Sequence, residues 1–391
     1  MLTTDKAKID VSLLDEMNHE TPLAFIDLKA QQVRIRRQVE ARLAAVLDHG
    51  KYINGPEIDE LERALSDFTG AADVVLCGNG TEALEFAMMG EEIGAGDAVF
   101  IPAFTYNATA SAVLMTGAHP VFVDVDAMTF NMDPADLSAK VDAVINQGRL
   151  RPAMVIPVDL FGLPADYPSI NGIAARYDLK ILADGAQSFG GRQNGKWVGN
   201  IAPMTAISFF PSKSLGCYGD GGAIFSHSPG KAEIWRSIRW HGTDSMHKNS
   251  VRVGTNGRMD SMQAAVVLAK LTIFEEELQR RRHIAALYDS FLKDVIAIPE
   301  RDESTSSGWS LYSIVLNDRD RIRQALTQAG IPTTIYYQQP LHQMEAFEAY
   351  APRDGLPVSE ELSRTILALP MHPYLQDDQV HHVCETLIAA L

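Results

Sequence analysis

One lysine stands where an apolar strand breaks. In SFFPSKSLGCYGDGG, Ser208–Gly222, the run from Ala206 to Phe210 stops at Pro211, and Lys213 sits between two serines ahead of a glycine-rich stretch. A lysine at a strand end can form a Schiff base with a carbonyl compound, although most loop lysines are merely solvated. The Ser208 hydroxyl lies on the same strand, and the Gly216–Gly222 run follows.

A second stretch, LCGNGTEALEFAM, reads as a strand entering Gly78-Asn79-Gly80-Thr81-Glu82 and then a helix. Free N–H groups at a helix start attract anions, and glycines let a phosphate come close. The run also fits G-x-G-x-x-A, a dinucleotide fingerprint that requires an acid at the end of the following strand. That strand ends FIPAFTY without one, and Asp97 precedes it. The pattern keeps the phosphate and weakens a nicotinamide oxidoreductase.

A third stretch, ILADGAQSFGG, ends an apolar strand on Asp184. Open α/β sheets bind ligands at that carboxyl end. A carboxylate there can keep a ring nitrogen protonated, or can be an ordinary Asp-Gly turn acid. Phosphate cradle, ring-nitrogen acid and Schiff-base lysine together are the parts needed to hold pyridoxal phosphate (PLP). Tyr106, after the strand ending near Pro102, could stack on its ring.

These residues need a sheet to align them. Val74–Cys77, Ala98–Ile101, Pro120–Val125, Met154–Val158, Lys180–Ala183, Thr205–Phe210 and Ala223–Phe225 are short, mostly apolar throughout and bounded by glycine or proline. Such runs predict strands covered on both faces, hence a mostly parallel α/β sheet. The texture changes after Arg258. A helix pattern runs from Met259 to about Leu292, with Glu276–Arg280 and Glu277–Arg281 spaced i,i+4. Trp309–Leu316 reads as a strand, and Arg319–Ala329 as a helix stopped by Gly330-Ile331-Pro332. The division expected is a lead-in over 1–24, a large domain over 25–258 and a smaller α+β domain over 259–391.

The 391 residues are 46% hydrophobic and 21% charged, enough for a large core. A net charge of −16 argues against a nucleic-acid or membrane-surface binder. No run predicts a membrane span or signal peptide. Cys77, Cys217 and Cys384 fit neither a disulfide framework nor a metal site, which points to a reducing cytoplasm. From Arg236 to Arg258 five Lys or Arg face one acid, Asp244, a local +4. Such a run is usually a solvated face, yet it would suit a diphosphate ligand.

The motifs FIDLKAQ, YINGPE, GNGTEAL, IPAFTYNATASAV, PVFVDVD, ADGAQSFGG, SFFPSKSLGCYGDGGA, NGRMDSMQAAV and LALPMHPYL occur in this order. From Phe25 onward the chain resembles the DegT/StrS family of PLP-dependent nucleotide-sugar aminotransferases. The resemblance implies the aspartate-aminotransferase-like PLP fold type I and a homodimer with shared active sites. It implies that Lys213 is the Schiff-base lysine and general acid/base, and that Asp184 pairs with the ring nitrogen. Gln187 would contact the ring hydroxyl, Tyr106 would stack, and Gly80, Thr81 and Ser208 would hold the phosphate. Asn256 and Arg258 would cross to the neighbouring site, Asn256 to phosphate and Arg258 to substrate. Tyr337 and His342 are candidate substrate contacts, with packing roles equally open.

The implied reaction takes an amino group from L-glutamate to a keto nucleotide sugar. SFFPSKSLGCYGDGG with DGAQSFG is most similar to the subgroup that aminates UDP-2-acetamido-2-deoxy-3-oxo-glucuronate for O-antigen and other surface polysaccharides. Tyr336 stands where that subgroup often carries histidine. The alternatives are a dTDP- or UDP-linked 3-keto- or 4-keto-6-deoxy sugar, and a non-catalytic regulatory relative, which should have lost Lys213 or Asp184. A PLP dehydratase of this fold would carry histidine in place of Lys213.

Overall fold

The computed structural model describes residues 23–299 and 304–391, so the lead-in expected over 1–24 lies almost wholly outside the described residues. The strands are β1 (Asp73–Cys77), β2 (Asp97–Pro102), β3 (His119–Val123), β4 (Arg151–Val155), β5 (Lys180–Asp184), β6 (Arg192–Gln193), β7 (Lys196–Trp197), β8 (Met204–Ser208), β9 (Gly222–Ser226), β10 (Thr305–Ser306), β11 (Tyr312–Val315) and β12 (Ile366–Leu369). Seven of them form one sheet in the order β1-β9-β8-β5-β4-β2-β3. Only β9 runs against the others. Each expected strand of this sheet is present, with ends shifted by at most three residues.

Both faces of the sheet are covered, as the unbroken apolar runs require. One face carries the helices Gly80–Gly90 and Ala108–Met115 around Phe86, Met88, Val99 and Ile101. The other is covered partly by the helices Pro134–Gln147 and Tyr167–Tyr177 and partly by Pro56–Thr69 and the long helix Ser261–Leu292.

That long helix serves two cores. Ala264, Val267, Phe274 and Leu278 pack toward the large sheet. Ile284, Ala285, Tyr288 and Leu292 pack with the β11–β12 pair and the helices Arg319–Gln328 and Asp377–Ala390. A line at 258/259 therefore falls just before an element shared by both bodies.

The topology brings the carboxyl ends of β1, β2, β5 and β8 to one edge. Cys77, Gly222 and Ser208 lie side by side across β1, β9 and β8. Among the described residues no helix is long and apolar enough to cross a membrane.

Candidate active site

A cavity of about 740 Å³ opens at this edge. Gly80, Thr81, Tyr106, Asp184, Gln187, Ser208, Lys213 and Tyr337 all line it. These come from five separated stretches of sequence, four of them at the sheet edge and the fifth, with Tyr337, from the chain beyond the long helix.

The turn after β1 is built to leave donors free. Asn79 caps the helix Gly80–Gly90, its Oδ1 accepting from Glu82 N at 2.9 Å. Glu82 reaches back, and its Oε2 accepts from Gly78 N at 2.9 Å. This reciprocal capping fixes the turn, while the first-turn N–H groups of Gly80 and Thr81 have no intrahelical acceptor. The backbones also approach closely. A Cβ on Gly80 would lie 2.7 Å from Ser208 Cβ, and one on Gly222 would lie 2.4 Å from the Asn79 carbonyl carbon.

Asp184 ends β5 and is only 6% exposed. Its Oδ2 accepts from Thr109 Oγ1 at 2.8 Å, and its Oδ1 from Ala186 N at 3.2 Å. Burial pushes its carboxyl above the usual range, while Thr109, the Ala186 N–H and the charge of Lys213 oppose that. Lys213 follows β8 in a tight turn closed by Lys213 N donating to Phe210 O at 2.9 Å. Burial lowers its ammonium below the ordinary lysine range, and Asp184 partly restores it. A lowered pKa raises the share of neutral, nucleophilic amine.

Gln187 is held at both ends. Its Oε1 accepts from Phe161 N at 3.0 Å, and its Nε2 donates to Tyr337 OH at 3.0 Å. The Tyr337 ring stands 6.4 Å from that of Tyr106, centroid to centroid. Behind them Asp159 accepts from Ala165 N, Tyr167 OH and Ser188 Oγ, and its own N–H donates to Asp184 O at 3.0 Å. Burial raises its carboxyl to about 6.

Three expected residues do not line the cavity of their own chain. His342 is buried, with Nε2 at 3.1 Å from Glu360 Oε1. It fastens the stretch that follows Tyr336 and Tyr337. Arg258 lays its guanidinium over Trp240 at 4.4 Å. Asn256 is exposed, and its neighbour Gly257 is fixed between Gly78 N and Arg239 O of the same chain.

The basic stretch is less available than its charge suggests. Arg236 and Arg239 both bind Glu62, at 2.8 and 2.9 Å. Two of its five cations therefore serve the fold. The cavity walls themselves carry Glu82, Glu85, Asp184 and Asp220 against one lysine.

Thr109, Ile26, Glu85, Asp220, Ser310 and Leu311 were not anticipated as site residues, whereas Tyr336, noted for replacing a histidine, does line the cavity. Thr109 left one faint signal, a polar residue within an apolar helix pattern. Ile26, Ser310 and Leu311 left none, because they reach the cavity only through the packing of distant segments.

The residues present fit pyridoxal phosphate. The glycines let the turn after β1 close against β8 and β9 with the N–H groups of Gly80 and Thr81 free for a phosphate, and a buried acid and a half-buried amine share the same cavity. The comparisons with known proteins agree. Residues 33–388 match the DegT/DnrJ/EryC1/StrS aminotransferase family, and the chain belongs to it. It is 42% identical to the UDP-2-acetamido-2-deoxy-3-oxo-D-glucuronate aminotransferase of Pseudomonas aeruginosa, over 93% of this chain and 99% of that one. It resembles a crystal structure of a DegT DnrJ EryC1 StrS aminotransferase from Brucella abortus, with a TM-score of 0.92 and 45% identity, covering 93% and 98% of the two chains. It also resembles NtdA of Bacillus subtilis with bound cofactor PMP, with a TM-score of 0.85 and 26% identity, covering 99% and 90%. The protein is a PLP-dependent sugar aminotransferase.

Proposed function

We propose that this enzyme transfers the amino group of L-glutamate to UDP-2-acetamido-2-deoxy-3-oxo-glucuronate, giving the 3-amino sugar for O-antigen or another surface polysaccharide. The observation that carries the chemistry is the meeting of Lys213, Asp184 and the Gly80–Thr81–Ser208 cradle in one cavity. The sugar is inferred from the Pseudomonas relative.

Gly80, Thr81 and Ser208 would hold the phosphate, and Tyr106 the ring face. Gln187, already oriented by Phe161 and Tyr337, would hold the ring hydroxyl. When bound, PLP supplies the carbonyl that takes up the amino group and the electron sink for the adjacent carbanion. Lys213 Nζ would carry the donor's α-proton to the cofactor's carbonyl carbon in the first half-reaction, and would carry a proton from that carbon to the acceptor's former keto carbon in the second. Asp184, ionised, keeps the ring nitrogen protonated, and Thr109 helps hold that ionised form.

The assembly proposed is a homodimer in the cytoplasm, with the domains divided near residue 258. Met246, Val251 and Val253 are exposed on the segment Trp240–Asn256, and Tyr52 and Ile53 are exposed beside Asp260. Exposed apolar groups of this kind mark interaction surfaces. A cavity with four acids and one lysine also calls for outside cations to hold an anionic substrate. Asn256 and Arg258 of the partner subunit would supply the phosphate and substrate contacts.

A spectral half-reaction tests the whole reading. L-glutamate should convert the visible band of the lysine-bound cofactor to that of the amine form. After glutamate is removed, UDP-2-acetamido-2-deoxy-3-oxo-glucuronate should restore it. Conversion without restoration would replace the sugar with a 3-keto- or 4-keto-6-deoxy acceptor. Absence of the band with PLP added would sink the assignment.

A further inference from the structure

The cavity has two walls of different origin and chemistry. The glycine cradle, Asp184 and Lys213 belong to the sheet edge. Ile26, Ser310, Leu311, Tyr336 and Tyr337 come from the amino-terminal segment and from the chain beyond the long helix.

The segment carrying Ile26 is fastened from outside its own neighbourhood. His372 Nε2 lies 3.1 Å from Ala24 O, and Met371 N donates to Phe25 O at 3.4 Å. Phe25 stands 6.4 Å from Tyr336, centroid to centroid. On the far side of Ile26, Asp27 caps the helix Leu28–His49, accepting from Ala30 N at 2.8 Å. Ile26 is thus held in the cavity by anchors on both sides of it. Ser310 lines the same wall, 8% exposed, and its hydroxyl is buried without a hydrogen-bond partner. A buried hydroxyl left unpaired is costly, and a ligand group can satisfy it.

We propose that this second wall is the acceptor's sugar-recognition surface, with Ile26 packing against the apolar C–H and acetamido face of the sugar and Ser310 Oγ hydrogen-bonding one of its polar groups. The inference rests on the sugar-aminotransferase reading above. A wall that joins apolar side chains to one unpaired hydroxyl matches a pyranose, whose C–H face and hydroxyl edge have the same two characters. The cofactor's own anchors lie on the sheet edge, and this wall reaches them only through Tyr337, which orients Gln187.

Two readouts on the PLP-loaded protein separate this inference from the function it rests on. Calorimetry with UDP-N-acetylglucosaminuronate, which has no ketone, reads acceptor binding alone. The spectral conversion by L-glutamate reads the donor half-reaction. Ile26→Trp should weaken binding at least fivefold. Ser310→Ala should weaken it about threefold to tenfold, the range of one net hydrogen bond, with melting temperature unchanged or raised because no native partner is lost. Both variants should bind PLP within about twofold of the unaltered affinity, because the cofactor's anchors lie on the sheet edge, and should still be converted by glutamate. Unchanged affinity for the probe in both variants overturns the inference. So does a parallel loss of PLP binding, or failure of the unaltered protein to bind the probe. If the variants lose binding while even the unaltered protein does not convert glutamate, the wall stands and the transamination reading falls.

Discussion

Asp184, buried, and Lys213, half-buried, form an acid–base couple in which each opposes the effect of desolvation on the other. Desolvation lowers Lys213 and raises Asp184, and the attraction between their charges works against both shifts. Neighbouring strands set the couple. Asp184 pairs in register with Ala206 of β8, and Lys213 lies seven residues further along the chain. Asp184→Asn removes the charge that raises Lys213. The amine should then lose its proton more readily, so the pH midpoint for PLP capture should move down. Turnover should still fall about 10²-fold or more, within the range of acid–base and electrostatic contributions. Absorbance titration with added PLP and kcat measurement check both. An unmoved midpoint would mean that the two groups do not sense each other.

Thr109 acts through Asp184. Its hydroxyl stabilises the ionised carboxylate, which burial otherwise disfavours. Thr109→Val should raise the Asp184 pKa further. Since ionised Asp184 is the working form, the acid limb of the kcat/KM profile should move to higher pH, with activity falling about tenfold on that limb, the scale of one hydrogen bond to a charged group. Thr109→Ser should restore the profile. An equal loss at every pH would reduce Thr109 to a packing role.

Arg258 and Lys213 would act from different subunits if the proposed dimer shares its sites. Arg258 lies over Trp240 and not in its own cavity. Lys213→Ala and Arg258→Ala should each be nearly inactive alone. Mixed after reversible dissociation, they should recover about a quarter of the unaltered activity, because half of the dimers are hybrid and each hybrid contains one site with both residues intact. No recovery, with hybrids shown to form, would mean that each site takes both residues from one subunit.

The sheet and its strand ends were legible because strands buried on both faces are apolar throughout, and because Lys213, Asp184 and Gly80 sit where such strands stop. Other parts of the site were written in no local pattern. Ile26 and Ser310 are 284 positions apart, and only the packing of the C-terminal segments brings them to one wall. The stretch Arg236–Arg258 illustrates the converse. Its charge was evident, but Glu62, which takes up two of its arginines, lies 174 residues from Arg236. The sequence leaves His342 open between a substrate contact and a packing role, and the link to Glu360 that shows its packing depends on the helix Pro357–Thr365.

Lys270 should prove a stability liability. It is 1% exposed within the long helix and has no ion pair among the described residues. Glu277 is already engaged by Gln31 Nε2 at 3.0 Å and by Tyr374 OH. The remaining support is the charge of Glu277 and the Tyr218 ring, 4.5 Å from Nζ. Burial lowers the ammonium from 10.5 to about 8. Below pH 8 the folded protein bears the full cost of a desolvated charge. Between 8 and the unfolded value the unfolded chain binds more protons, so stability rises with pH and the cost fades. Lys270→Met keeps the length of the side chain and removes the charge. It should stabilise the protein at pH 7 by up to about 3 kcal/mol, with the gain shrinking toward pH 10. Denaturant unfolding at pH 7 and pH 10 checks this. A variant that is less stable at pH 7 would show that the Tyr218 ring and the charge of Glu277 outweigh the cost of burial.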